Sequence, residues 1–199
     1  SGTSTTFFIG QRGRFVRVQL EGTNHLQLAE VQVWAPVVTT RKNAAAGIVA
    51  VTQSSTSTGG TADRAVNGNV IGDWSSALSV SHTNGDANAW WEVDLGTVQP
   101  ISTLELLNRR DCCSDRLQNV WLFVSDSPIP VGLANALAAP NVARWFRGPA
   151  PTVLTFDVNR SGRYVRVQLN GTNALALTEV QIWSRDLILT GLSKAVPRD

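Results

Sequence analysis

"GRYVRVQLNGTNALALTEVQIW", residues 162–183, decides how this 199-residue chain is read. Tyr164, Arg166 and Gln168 alternate with Val165, Val167 and Leu169, and Glu179 and Gln181 alternate with Val180 and Ile182. A period of two, rich in β-branched and aromatic residues, belongs to strands, whose successive side chains point to opposite faces. The Asn-Gly-Thr-Asn between the runs supplies turn residues, so the stretch reads as strand, loop, strand. It also occurs twice. "GRFVRVQLEGTNHLQLAEVQVW", residues 13–34, precedes it by 149 residues without a gap. A repeat this long and this close indicates tandem modules of about 150 residues. Residues 1–36 then read as the C-terminal strands of a preceding, truncated module, 37–186 as one complete module, and 187–199 as a linker or tail. Pro36 in "APVVTT" is expected to stop the strand and open a linker. An isolated hairpin is marginal in water. The leading segment is therefore expected to pack on this module or on a neighbouring chain, a route to self-association, or else to be partly mobile.

The same alternation continues between the repeats. "GIVAVTQSS" (47–55), "AWWEVDLG" (89–96), "ISTLELLNRR" (101–110), "NVWLFVSD" (119–126) and "TVLTFDV" (152–158) read as strands. "VGLANALAA" (131–139) reads as a loop with one turn. Short strands punctuated by Gly, Pro and Asn, with no long amphipathic helix, give an all-β module, a β-sandwich or jelly roll. Trp90 and Trp91 adjoin in a strand and must face opposite ways, one into the core and the other under a loop.

Bulk composition excludes several classes. Only 16% of residues are charged and 43% are hydrophobic, which is globular rather than disordered. No run of eighteen apolar residues occurs, so no membrane span is expected. A net charge of +2 spread along the chain argues against nucleic acid as a partner. Lysine occurs only at Lys42 and Lys194, an arginine bias that hints at a GC-rich bacterial genome. The opening "SGTSTTFF" has no basic region and no signal-peptide core, and reads as a piece of a longer protein.

The chemistry gathers around "NRRDCCSDRL", residues 108–117, which holds both cysteines, Cys112 and Cys113. Adjacent cysteines cannot staple distant parts of a fold. On residue chemistry alone the pair reads as a redox centre, a soft-metal site or two free thiols. His82 lies upstream with 26 residues between it and Arg109-Arg110-Asp111, and Arg116 follows after four more. Two guanidinium forks and an imidazole brought together from two loops supply directional donors of the kind a neutral sugar needs. Asp111 can orient and partly neutralise one arginine, giving a preorganised site.

His82, the Arg109-Arg110-Asp111 triplet and Arg116, with "WWEVDLG" and "TEVQIW" around them, resemble the F-type lectins. These are the fucose-binding branch of the discoidin-like (coagulation factor 5/8 type C) β-sandwich domains, and the resemblance covers about residues 40–185. It implies that His82, Arg109 and Arg116 grip the axial hydroxyl and ring oxygen of L-fucose, with Asp111 as the arginine-positioning residue. It also implies that Cys112 and Cys113 are disulfide-bonded to each other and present sulfur to the apolar edge of the sugar. Trp74 aligns with aromatics that contact the sugar's methyl group in relatives. Arg110 lies outside the motif and is expected to face solvent.

The resemblance further implies a structural Ca²⁺. Arg64 and Asn69 would bind by carbonyl, Asn67 by side chain, Ser79 by carbonyl or hydroxyl, Thr178 by carbonyl and Glu179 by carboxylate, all oxygen donors. Asn67 stands where an Asp is usual, and Val80 and Thr178 stand where some animal members carry a disulfide. Glu30 repeats Glu179, but its copy lacks the loop half of such a site. The function so implied is non-catalytic binding of fucosylated glycans, in a secreted or cell-surface protein of several domains. The alternative is a discoidin-type module that binds a phospholipid surface or a protein. A hydrolase pairing Asp111 with Asp115 or Glu179 is disfavoured, because an aspartate beside arginines is a poor acid.

Overall fold

The computed structural model describes residues 5–7, 15–48, 50–75, 77–149 and 151–194, and for 34–40 and 185–194 the course of the backbone only. The chain divides into two compact units, Pro36–Ile188 and the described parts of Ser1–Ala35 with Leu189–Asp199. Nine strands are present among the described residues. They are β1 Gln32–Asn43, β2 Val51–Gln53, β3 Ser81–His82, β4 Trp90–Leu107, β5 Gln118–Ser125, β6 Ala143–Pro149, β7 Val153–Leu169, β8 Ala176–Leu177 and β9 Glu179–Lys194. The main sheet runs β1-β9-β4-β7-β5-β6, with β2 also on β4, and β3 pairs with β8 apart from it. The expected all-β sandwich is what forms.

The two strands read at 89–96 and 101–110 are one long strand, β4. Its first part, Trp90–Asp94, pairs with Gln168–Tyr164 of β7, and its last part, Thr103–Leu107, pairs with Asp157–Val153 of β7 and Trp183–Glu179 of β9. The register shifts between Asp94 and Gln99 and again between Ile101 and Thr103. Such irregularities bend a strand and raise its twist, so β4 serves both halves of the sandwich. Alternation then does the packing. Trp91, Val93, Leu104 and Leu106 join Val165, Val167, Leu169, Val180 and Ile182 in one fully buried core. Trp91 satisfies its indole N–H on the Ala62 carbonyl at 2.9 Å. Trp90 faces the other way, half-buried beneath the Arg166 guanidinium at 5.1 Å. Arg166 in turn donates to Glu92 Oε2 and to the carbonyls of Pro130 and Ile129.

Four departures from the sequence reading have physical causes. Residues 15–31 contain no strand, so the expected N-terminal two-stranded segment is not formed there, and residues 8–14 lie outside the described chain. Val16, Val18 and Leu20 are exposed, whereas their repeats Val165, Val167 and Leu169 are core. The later copy has β4 and β5 to pair with, and alternation defines a strand only where a neighbour completes the ladder. Second, Pro36 does not stop a strand, because β1 runs through it. β1 ends the sheet order, and an edge strand tolerates a residue without an N–H. Third, β9 as a strand runs on to Lys194, although the compact unit itself ends at Ile188, close to the boundary drawn at 186, and 195–199 lie outside the described residues. Fourth, "VGLANALAA" contains a short helix, α1 Leu133–Ala138, because Ala136 is buried against Phe123, Ile129 and Val142.

No helix among the described residues is long and apolar enough to cross a membrane. His82 closes β3, paired with Ala176 of β8, and the 108–117 stretch joins β4 to β5.

Candidate functional site

Buried Asn108 closes the neck of the 109–116 loop. Its side chain donates to the Ser114 carbonyl at 2.8 Å and accepts the Arg109 N–H at 2.8 Å, while its carbonyl accepts from the Thr178 hydroxyl at 3.0 Å. Arg110 N–H donates to the Gly72 carbonyl at 2.9 Å, which ties this loop to the one carrying Trp74. The Arg110 side chain is exposed, as expected.

Within the loop, Asp111 accepts from four donors. Arg109 reaches it through Nε at 2.6 Å and Nη2 at 2.9 Å, Trp74 through its backbone N–H at 3.2 Å, and Cys112 likewise at 3.0 Å. The Arg109 hydrogen bonds above all hold the Asp111 carboxyl far below the ordinary aspartate range, and burial opposes this only in part. Arg109 is 8% exposed, so its fork is fixed in place by a carboxylate that stays charged.

Cys112 and Cys113 are bonded to each other, as the resemblance implied, with Cα atoms 3.8 Å apart, the spacing of an ordinary trans peptide. Cys113 takes a left-handed backbone, φ 58°, rare for a residue with a side chain. The short turn Ser114–Arg116 follows, closed by Arg116 N–H on the Cys113 carbonyl at 3.1 Å.

That turn points Arg116 at His82, with Nη1 2.8 Å from Nε2. His82 is held from the other side by Gly60. Its N–H donates to the Gly60 carbonyl at 2.9 Å, and Gln53 Nε2 donates to the same carbonyl at 2.9 Å. A Cβ at Gly60 would lie 2.6 Å from Trp74 Cζ3 and 2.7 Å from His82 Cβ, so only glycine lets the indole and the His82 strand approach this backbone. Burial above all lowers the His82 pKa below 6.5; a backbone hydrogen bond of Thr83 opposes it, and the charges of Arg116 and Arg109 lower it further. The half-buried Trp74 ring stands 5.3 Å from the His82 ring and 5.6 Å from the Arg109 guanidinium. His82, Arg109, Asp111, Arg116 and Trp74 therefore come together, on or beside the Cys112–Cys113 loop. The result is a partly covered, cationic, hydrogen-bond-donating surface with an indole and a disulfide at hand.

Of the six residues read as calcium ligands, Asn67 and Asn69 flank Gly68, whose N–H meets Glu179, and Thr178 adjoins Glu179 in the chain. The Glu179 carboxylate is buried and, among the described residues, accepts the Gly68 N–H alone, at 3.2 and 3.3 Å. Burial raises its pKa to about 7, against the weaker effect of that hydrogen bond. Asn67 and Asn69 flank Gly68, and the Asn67 side chain accepts the Asn69 N–H at 2.8 Å. Ser79 Oγ is committed to the loop, accepting from Gly72 and Asp73 N–H groups at 2.9 and 3.1 Å. Thr178 precedes Glu179 and is buried. Arg64 sits in the turn Ala62–Val66 just before Asn67.

Sequence reasoning missed Asn108, Gly60, Gln53 and the Arg64 side chain. Each acts through loop contacts that no strand or helix period marks, and "TSTGGTAD" gives no local sign that one of its glycines lies against the Trp74 indole.

Comparison with known proteins bears on the family of the chain. Residues 64–167 match the F5/F8 type C family model described as NedA-like, galactose-binding domain. The chain is similar to Fucolectin-5 of Anguilla japonica, 36% identical over 66% of this chain and 70% of that protein. Across the Anguilla fucolectins it matches, the chain spans from 53% to 70% of their length. Among solved structures it is similar to the lectin domain of lectinolysin complexed with Lewis B antigen, 34% identical with a TM-score of 0.62 over 73% of this chain and 98% of that one. It is also similar to the Streptococcus pneumoniae fucose binding module SpX-3, 29% identical with a TM-score of 0.63 over 73% and 99%. A matching family model over half of the chain, the fucolectin identity and the sandwich itself agree: the chain belongs to the fucolectin, or F-type lectin, branch of the F5/F8 type C-like family.

Proposed function

We propose that this chain is a non-catalytic lectin for L-fucose at the ends of glycans. The observation that carries this reading is the 2.8 Å approach of Arg116 to His82 beside the Arg109–Asp111 fork, all within reach of one indole. Arg109 and Arg116 offer fixed donors to sugar hydroxyls, and His82 Nε2, by accepting from Arg116, aims that guanidinium. Trp74 and the disulfide cover the apolar edge of a deoxy sugar. The one carboxylate among these groups is bound by an arginine, which suits binding rather than proton transfer.

Fucose has about 11 heavy atoms, and at roughly 0.3–0.5 kcal/mol each a single site binds with about −3 to −6 kcal/mol, millimolar to tens of micromolar. Useful strength then comes from several sites together. The repeat at 13–34 supports a tandem array in a larger secreted or cell-surface protein, or self-association through that segment.

A structural Ca²⁺ belongs to the proposal. A buried carboxylate with one N–H partner is a poor resting place for a negative charge unless a cation joins it. Glu179, with oxygen atoms of Arg64, Asn67, Asn69, Ser79 and Thr178, would hold the ion, whose chemistry there is to neutralise that charge and pin the loop.

Calorimetric titration of L-fucose into the unsubstituted protein and Arg109→Ala, with D-galactose as control, tests the reading. Saturable fucose binding absent from the variant is the expected result. An unsubstituted protein that ignores fucose with calcium present and the disulfide intact overturns it.

A further inference from the structure

Trp74 is held by more than the groups that meet the sugar. The Arg64 guanidinium lies 5.4 Å from the centre of its ring, as close as Arg109 does at 5.6 Å. Arg64 rises from the turn Ala62–Val66, anchored by the buried Ala62, Ala65 and Val66, and its Nη1 reaches the Val80 carbonyl at 3.5 Å, two residues before His82. Its own backbone is thus fixed by the core, while its head lies between the indole and the strand that carries His82. No carboxylate pairs with it in a salt bridge among the described residues. A guanidinium so placed gains from the face of an indole, and the indole gains a wall. Trp74 itself belongs to a surface loop between Gly72 and Ser79, tied down by the Trp74 N–H on Asp111 and by the contact with Gly60. These fix where the residue is. The side-chain neighbours fix how the ring is turned.

We infer that Arg64 is a specificity-determining positioning residue: by stacking on Trp74 it holds the indole where it covers the methyl group of a 6-deoxy sugar. This rests on the fucose reading above and deepens it, since the selection then concerns the methyl edge rather than the hydroxyls that His82, Arg109 and Arg116 address. The role belongs to the side chain and is separate from the carbonyl of the same residue, which any substitution leaves in place.

The test compares L-fucose with D-arabinose, the same pyranose without its methyl group, by calorimetry at saturating calcium. The proteins are the full chain unsubstituted, Arg64→Ala and Arg64→Lys, each checked by thermal melting for an intact fold. Arg64→Ala is expected to weaken L-fucose about five- to tenfold while leaving D-arabinose within about twofold, so that the preference for the methyl sugar shrinks. Arg64→Lys, which keeps a cation over the ring, is expected to fall between. Equal losses for both sugars, or no loss for either, overturn the inference while leaving the fucose reading intact. A failure of the unsubstituted protein to bind either sugar overturns that reading and this inference together.

Discussion

Arg116 Nη1 stands 2.8 Å from His82 Nε2, which fixes the protonation of the imidazole. A guanidinium nitrogen only donates, so Nε2 must accept and the ring proton sits on Nδ1. His82 is neutral when the site is assembled. Burial and two nearby arginines favour that form, and they lower its pKa below 6.5.

Sugar binding should therefore be flat above pH 7 and fall as the pH drops below 6.5 through the lowered His82 value, where a second proton expels Arg116. Stability moves the same way from this residue. The unfolded chain protonates first, so His82 costs stability as pH falls. Titrations of L-fucose at several pH values between 5 and 8 check it. Constant affinity down to pH 5 contradicts the assignment.

Asp111→Asn keeps the shape of the side chain and removes the charge that holds the Arg109 fork. Arg109 is nearly buried, so an unpaired guanidinium is left there. A loss of about 1–3 kcal/mol in stability and at least a tenfold loss in fucose affinity are expected. Denaturant titration and calorimetry read the two separately, and an unchanged affinity counts against the positioning role.

Glu179 behaves differently from a surface glutamate. Its folded pKa is raised to about 7, so below 4.5 it is protonated folded or unfolded, and between 4.5 and about 7 the unfolded chain gives up a proton that the folded state keeps, which costs stability as pH rises. Without a cation the melting temperature should decline as pH rises from 5 to 8. Millimolar Ca²⁺ should restore it most at pH 8, and chelator should reverse this. Glu179→Gln should abolish both the pH slope and the response to calcium.

The Cys112–Cys113 bond closes no loop of the fold, its sequence separation being 1. Removing it frees little chain entropy. Reduction is expected to leave the melting temperature within about 2 °C while weakening fucose binding severalfold, because Cys113 loses the constraint on its left-handed backbone. A large drop in melting temperature on reduction would show that the pair serves global stability instead.

The strand alternation at 162–183 was enough to read an all-β module, because period two is a local property of the chain and the buried face is written into it. The spacing of His82, Arg109, Asp111 and Arg116 was equally legible, since it is a matter of residue type and count. Sequence alone did not decide which copy of the repeat forms strands. Val16 and Val165 have nearly the same neighbours along the chain, Phe15 standing where Tyr164 does, and only the presence of β4 and β5 beside the second copy turns it into core. Nor did it decide that Pro36 continues a strand, which depends on β1 lying at the sheet's edge. In the site the sequence determined the chemistry of the groups, and the tertiary structure decided their geometry. Gly60 against the Trp74 indole, Asn108 across a loop neck and Arg64 over Trp74 are contacts set by the path of the loops, and no period of the local sequence encodes them.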